Sequence, residues 1–97
     1  IRSLHLWSRV TPHRAFSVDA AARWTGPPVG LLFVDGDHSE AAVRADVRAW
    51  TPHLAAGAVL AFDDYATPRN PGVKAVVDGM AAAYSFELPA PTLAVLR

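Results

Sequence analysis

Leu31-Leu32-Phe33-Val34-Asp35-Gly36-Asp37-His38 and Ala58-Val59-Leu60-Ala61-Phe62-Asp63-Asp64-Tyr65 are short apolar runs that end abruptly in carboxylates. A brief aliphatic run bounded by turn residues reads as a strand buried on both faces, as in a parallel sheet. In open α/β sheets, ligands gather just beyond the carboxyl ends of such strands. Strands over Val29–Val34 and Ala58–Phe62 therefore deliver Asp35, Asp37, His38, Asp63 and Asp64 to one rim.

Outward from these strands, the pattern alternates between helix and strand. Ser17 reads as the N-cap of a short helix reaching about Trp24, which Gly26-Pro27-Pro28 stops. Asp37 or Ser39 caps a second helix over Glu40–Trp50, in which Val43, Val47 and Trp50 form one apolar stripe. Arg44 and Arg48 lie on another, solvated face. Pro52 and Gly57 bracket a turn. After a loop over Asp63–Asn70, Pro71-Gly72 opens a third helix, about Val73–Ala83, with Val73, Val76, Val77 and Met80 inward. Tyr84–Leu88 and Thr92–Leu96 read as an antiparallel pair joined across Pro89-Ala90-Pro91. A further strand is expected over Ile1–Trp7, followed by a loop at Ser8–Arg14. The order implies a single α/β domain over residues 1–97. Its sheet is mainly parallel, with right-handed crossovers and an antiparallel last strand.

Composition narrows the function. The 97 residues carry nine basic and nine acidic side chains, so the formal net charge is zero. Phosphate-backbone binding leaves a basic footprint, and this balance argues against nucleic acid as a partner. The absence of cysteine removes disulfides, thiolate catalysis and zinc–cysteine sites, and fits a cytoplasmic protein. No apolar run approaches the ~20 residues a membrane span needs. The chain begins at Ile1 without a signal-peptide layout, which suggests a start inside a longer protein.

The two acidic strand ends sit within a longer pattern. Leu32-Phe33-Val34-Asp35-Gly36-Asp37-His38-Ser39 resembles the strand-then-DGDH signature of class I S-adenosylmethionine-dependent methyltransferases, in particular the O-methyltransferase-like set called methyltransferase family 24. The likeness continues through Asp46, Trp50-Thr51-Pro52 and Leu54. It extends to Ala56-Gly57-Ala58-Val59-Leu60-Ala61-Phe62-Asp63-Asp64-Tyr65, Pro71-Gly72-Val73-Lys74-Ala75-Val76 and the closing Leu93–Arg97. Asp63 stands where the family has histidine, and Ala58 where it has the second glycine of a pair. The resemblance implies a partial Rossmann-like sheet and methyl transfer, of the EC 2.1.1 type, to a small-molecule hydroxyl. It implies S-adenosylmethionine as cofactor, whose glycine-rich strand–loop–helix has no counterpart here. The chain is thus expected to be the C-terminal part of a larger methyltransferase domain, inactive alone.

The resemblance to metal-dependent O-methyltransferases also implies that Asp35, Asp63 and Asp64 hold a divalent cation such as Mg2+, which takes oxygen ligands. The plain alternative is that Asp37 caps a helix while Asp63 and Asp64 make turn hydrogen bonds. His38 suits a general base on the substrate hydroxyl, or else a partner that fixes the Asp63-Asp64 loop. Tyr65 lines either the substrate mouth or the core. His5, His13 and His53 read as surface or satisfied residues, Trp7, Trp24 and Trp50 as packing anchors, and Lys74 as solvated. Two rival readings remain. One is a non-catalytic α/β module dimerising through an exposed sheet edge. The other is a metal-dependent hydrolase built on the same carboxylates.

Overall fold

The computed structural model describes residues 7–97. The strand expected over Ile1–Trp7 lies outside the described residues except at Trp7, which instead opens a 3-10 turn, Trp7–Arg9. The remaining elements are α1 (Ser17–Ala22), β1 (Val29–Val34), α2 (Glu40–Trp50), β2 (Leu54–Phe62), α3 (Pro71–Met80), β3 (Phe86–Ala90) and β4 (Leu93–Leu96). Short 3-10 turns follow α2 and α3, at Thr51–His53 and Ala81–Ala83. Among the described residues, no helix is long and apolar enough to cross a membrane.

The sheet order is β1-β2-β4-β3. β1 and β2 are parallel, while β4 runs antiparallel to both β2 and β3. Three strands therefore share a direction and the last is reversed, as the pattern predicts. The α/β class and the partial Rossmann-like sheet hold. The reversed strand is not at the edge but between β2 and β3.

One face of this sheet makes the core. Val34, Leu60, Phe62, Ala94 and Leu96 meet Val43 and Val47 of α2 and Val73, Val76 and Val77 of α3. These are the stripes expected from the 3.6-residue period, and each helix buries its own. α1 packs on the outside of α2, where Trp50 Nε1 donates to Ser17 Oγ at 2.9 Å and the Trp24 and Trp50 rings meet edge-on at 5.6 Å. His53 is the satisfied residue expected, with Nε2 2.7 Å from the Ala21 carbonyl. Trp24 and Trp50 anchor this packing, whereas Trp7 is half exposed.

The opposite face departs from expectation. Leu31 and Phe33 are 61% and 53% exposed, so β1 is buried on one face rather than two. Both crossover helices lie on the other side of the sheet, and β1 has no strand partner on its outer edge among the described residues. Apolar continuity in a sequence marks a strand built for two-sided cover, and says nothing of whether the cover belongs to the same stretch of chain.

Smaller corrections follow from local geometry. Phe16, not Ser17, occupies the cap position of α1, and Ser17 spends its hydroxyl on Trp50. β2 starts at Leu54 rather than Ala58. Its register against β1 jumps from Val29↔Leu54 to Leu31↔Val59, so the expected Pro52–Gly57 turn is absorbed as an irregular strand segment. Gly57 takes a positive φ of 74° there, which glycine adopts without steric cost. β3 runs from Phe86 through Pro89 to Ala90, where a strand over Tyr84–Leu88 was expected. Proline is tolerated there because β3 is an edge strand.

The two crossover helices meet at their amino ends. A Cβ placed on Gly72, in the first turn of α3, would lie 2.3 Å from the Glu40 nitrogen and 2.8 Å from the His38 carbonyl oxygen. Both are backbone atoms and cannot swing aside. Gly72→Ala should therefore push the helix starts apart and cost about 1–3 kcal/mol, the range for overpacking. Urea unfolding of the variant against the native chain checks this, and an unchanged midpoint would contradict the close approach.

Candidate functional site

β1 and β2 run side by side and end together. The Asp63 N–H donates to the Val34 carbonyl at 3.2 Å, so the ladder continues one step past the last strand pair and holds the two acidic ends in register. Asp35, Asp63 and Asp64 leave the sheet at this point. On the β1 side, the chain turns at Gly36-Asp37-His38. Asp37 Oδ1 accepts the Ser39 N–H at 2.9 Å, and Ser39 Oγ accepts the Ala42 N–H at 3.2 Å. Ser39 is thus the cap of α2 and Asp37 the brace that positions it. These hydrogen bonds hold the Asp37 carboxyl below its ordinary value.

On the β2 side, Asp64 and Ala66 both adopt φ of 60°. The left-handed region is uncommon for residues other than glycine, although aspartate tolerates it better than most. The bend is held locally. Thr67 Oγ1 donates to the Asp64 carbonyl at 3.2 Å, and the Tyr65 N–H donates to the Thr92 carbonyl at 2.9 Å. The result turns the Asp64 carboxylate to His38, with Nε2 and Oδ2 2.5 Å apart. Both side chains are about one-third exposed, at 36% and 31%. The Nε2 atom itself is shielded from solvent and has no partner in hydrogen-bond geometry, so the contact is electrostatic rather than a straight N–H···O bond.

The carboxylates are crowded. Partial desolvation, then the charge of Asp63 with a hydrogen bond to it, and then the charge of Asp64 raise the Asp35 carboxyl above its ordinary value. His38 opposes the shift. A site that makes a carboxylate hold its proton more tightly is one where a positive charge would be stabilised. Ligand atoms of Asp35, His38 and Asp64 lie within 4.8 Å of one another. Two carboxylate oxygens and one imidazole form a donor set that fits a divalent cation. The compact set includes His38, whereas the resemblance pointed to Asp63 as the third ligand. Asp63 instead neighbours Asp35.

S-adenosylmethionine fares differently. The cavity that touches Asp35 is about 250 Å³ and is lined by Ser17, Leu32, Gly36, Asp46 and Trp50 among others. Ligand pockets usually span about 300–1,000 Å³ and enclose most of the ligand. Among the described residues there is no glycine-rich strand–loop–helix to cradle the molecule.

Tyr65 belongs to the core. It is 7% exposed, its ring lies 5.5 Å from that of Phe86, and its hydroxyl donates to Asp78 Oδ1 at 2.6 Å. Lys74, expected to be solvated, closes an ion pair with Asp78 and sits 5.7 Å over the Tyr65 ring. The i, i+4 spacing of Lys74 and Asp78 is the signal in the sequence for this pair. Lys74 and Tyr65 together hold the Asp78 carboxyl below its ordinary value. The hydrogen bond to Asp78 raises both Tyr65 and Lys74.

A cavity of about 650 Å³ opens beside His38, between the amino ends of α2 and α3. Arg69 and Asn70 contribute to it, and neither carried a recognisable motif.

A family model described as a methyltransferase domain, family 24, matches residues 1–65. Two solved structures share the fold. The apo structure of CalS11, a TDP-rhamnose 3'-O-methyltransferase of calicheamicin biosynthesis, superposes with a TM-score of 0.67 at 23% identity, over 87% of this chain and 37% of that one. A crystal structure of CalS11 as calicheamicin methyltransferase gives 0.75 at 22% identity, over 96% and 39%. The chain thus spans less than two-fifths of the length of the structures it matches. No curated protein matches it.

The Tyr65–Asp78–Lys74 network sets a pH dependence. Asp78 is depressed, so its contribution to stability is present above the ordinary carboxylate value near 3.8 and is lost as pH falls through the folded value. Tyr65 and Lys74 are raised, so theirs are present below 10.0 and 10.5 and fade as pH rises through the folded values. Asp78→Asn should flatten the acid limb of a plot of urea midpoint against pH, and an unaltered acid limb would remove the network from the ledger.

Proposed function

The chain belongs to the methyltransferase-domain family, and on that premise we propose that it is the acceptor-side part of an S-adenosylmethionine-dependent O-methyltransferase acting on a small-molecule hydroxyl. The observation that carries this reading is the His38–Asp64 pair, 2.5 Å apart, at the carboxyl ends of two parallel strands. The O-methyltransferase named among the structural neighbours supports the choice of oxygen. The 97 residues alone form one wall of the cofactor site, so activity belongs to an assembly that includes a cofactor-binding half.

The cofactor, when bound, supplies an electrophilic methyl group whose bond to sulfur breaks as the bond to oxygen forms. What remains for this chain is the acceptor's proton. Asp64 faces Nε2 of His38 and orients the ring, as carboxylates do in histidine-based catalysis. Nδ1 is then the nitrogen left to receive the hydroxyl proton.

His38→Ala in the complete methyltransferase should lower kcat by about 10²- to 10⁴-fold, the usual worth of a general base, with S-adenosylmethionine affinity within about twofold. Undiminished kcat would reject His38 as the base. Failure of the complete, folded protein to bind S-adenosylmethionine in a calorimeter would reject methyl transfer altogether.

The proximity of Asp35, His38 and Asp64 favours a second reading, in which a divalent cation assists. Such an ion would hold substrate oxygens and favour their deprotonated form. Mg2+ would draw on Asp35, Asp63 and Asp64, whereas Mn2+, which accepts imidazole more readily, would use His38. Calorimetric titration with each cation should give heat that Asp35→Ala abolishes, and His38→Ala separates the two ligand sets. No heat with either ion would dismiss the cation.

A further inference from the structure

α3 touches the chain on both sides of the His38–Asp64 pair. In its first turn Gly72 lies against the His38 turn, where a Cβ would sit 2.8 Å from the His38 carbonyl oxygen. Further along the same helix, Asp78 Oδ1 accepts the Tyr65 hydroxyl at 2.6 Å. Tyr65 directly follows Asp64. One helix thus meets the backbone of His38 and the side chain next to Asp64.

The turn that carries Asp64 needs such a hold. Asp64 and Ala66 flank Tyr65, and both sit in the left-handed region with φ of 60°. Residues other than glycine keep that conformation only where their surroundings over-determine it. Tyr65 is fixed at each of its parts. Its N–H donates to the Thr92 carbonyl at 2.9 Å, its ring lies 5.5 Å from that of Phe86, and its hydroxyl ends on Asp78. Asp78 is a strong anchor, because Lys74 takes its other oxygen. Lys74 first, and then Tyr65, hold the Asp78 carboxyl below its ordinary value. It therefore stays ionised at neutral pH, and the bond from the tyrosine hydroxyl is charge-assisted.

Packing alone would be satisfied by a phenylalanine at this position. The hydroxyl adds direction, since it ties the ring to a set point on α3. We propose that Tyr65 and Asp78 are positioning residues for the His38–Asp64 pair. Through their hydrogen bond, α3 sets the direction in which the left-handed turn presents the Asp64 carboxylate to His38. Lys74 contributes by holding Asp78 charged and in place. Neither Tyr65 nor Asp78 touches His38, and both act through Asp64. Small errors of orientation between reacting groups are costly, so a brace of this kind bears on rate. Its catalytic purpose rests on the methyl-transfer reading, but the effect on the pair stands on the geometry alone.

The test uses the complete methyltransferase carrying nitrogen-15 histidine, with the His38 ring signals assigned by their loss in His38→Gln. Asp64→Ala supplies the Nε2 resonance of a broken pair. Tyr65→Phe, which keeps the ring and its packing, should move Nε2 part of the way to that value. Asp78→Ala should do the same, and the double variant should move it about as far as either alone, since both remove one bond. Val47→Ala, a core truncation on α2 outside this network, should lower stability and leave the resonance in place. In the same protein, kcat should fall by up to about tenfold in Tyr65→Phe and in Asp78→Ala, the worth of one hydrogen bond, with S-adenosylmethionine affinity within about twofold. An Nε2 resonance unmoved in both variants, moved as far by Val47→Ala, or moved additively in the double variant would overturn the proposal. A moved resonance with undiminished kcat would uphold the brace and reject His38 as the base.

Discussion

Two helices can start against each other only if one of them lacks a side chain at the contact. Gly72 meets that condition. Its Cα faces the Glu40 nitrogen and the His38 carbonyl, where a Cβ would sit 2.3 and 2.8 Å away. From this approach much else follows. α2 and α3 come close enough to bury Val43, Val47, Val73 and Val77 over the same sheet face. The same contact lies against the backbone of the His38 turn. The cavity beside His38 owes its floor to the same contact.

The acidic rim depends on a second constraint, the parallel alignment of β1 and β2. Because these strands end in register, Asp35 has both Asp63 and Asp64 as neighbours. Partial desolvation first, and then the neighbouring charges of Asp63 and Asp64, make Asp35 bind its proton more tightly than usual. The left-handed φ of Asp64 is part of the same arrangement, since it aims the carboxylate across the rim at His38.

The sheet is finished on one face only. Leu31 and Phe33 stand exposed opposite the helices, and the outer edge of β1 is open. Among the matched structures, more than three-fifths of each chain has no counterpart in these residues. The acidic rim is built from strand ends and a helix start, so it is complete within this part of the sheet.

Much of this was legible without coordinates. Periodicity located β1, α2 and α3 and the valine stripes they bury, because hydrophobic spacing is the cause of that packing. The carboxylates at the strand ends were visible for the same reason, since strands must stop where charge begins. Boundaries were less legible. β2 gained four residues at its start because an irregular pairing with β1, not local preference, decided where the ladder began. Tyr65 was ambiguous until Asp78 and Phe86 closed around it, and Arg69 and Asn70 joined the cavity through a loop whose path depends on Asp64 and Ala66.

By itself, then, the sequence determined the element order, the inward-facing residues and the identity of the acidic groups at the rim. These follow from local propensity and burial, which act along the chain. Only the tertiary structure decided which carboxylate faces His38, that β4 sits inside the sheet, and that Gly72 exists to let two helices touch. Those depend on the approach of segments far apart in sequence, and no spacing along the chain encodes a distance across it.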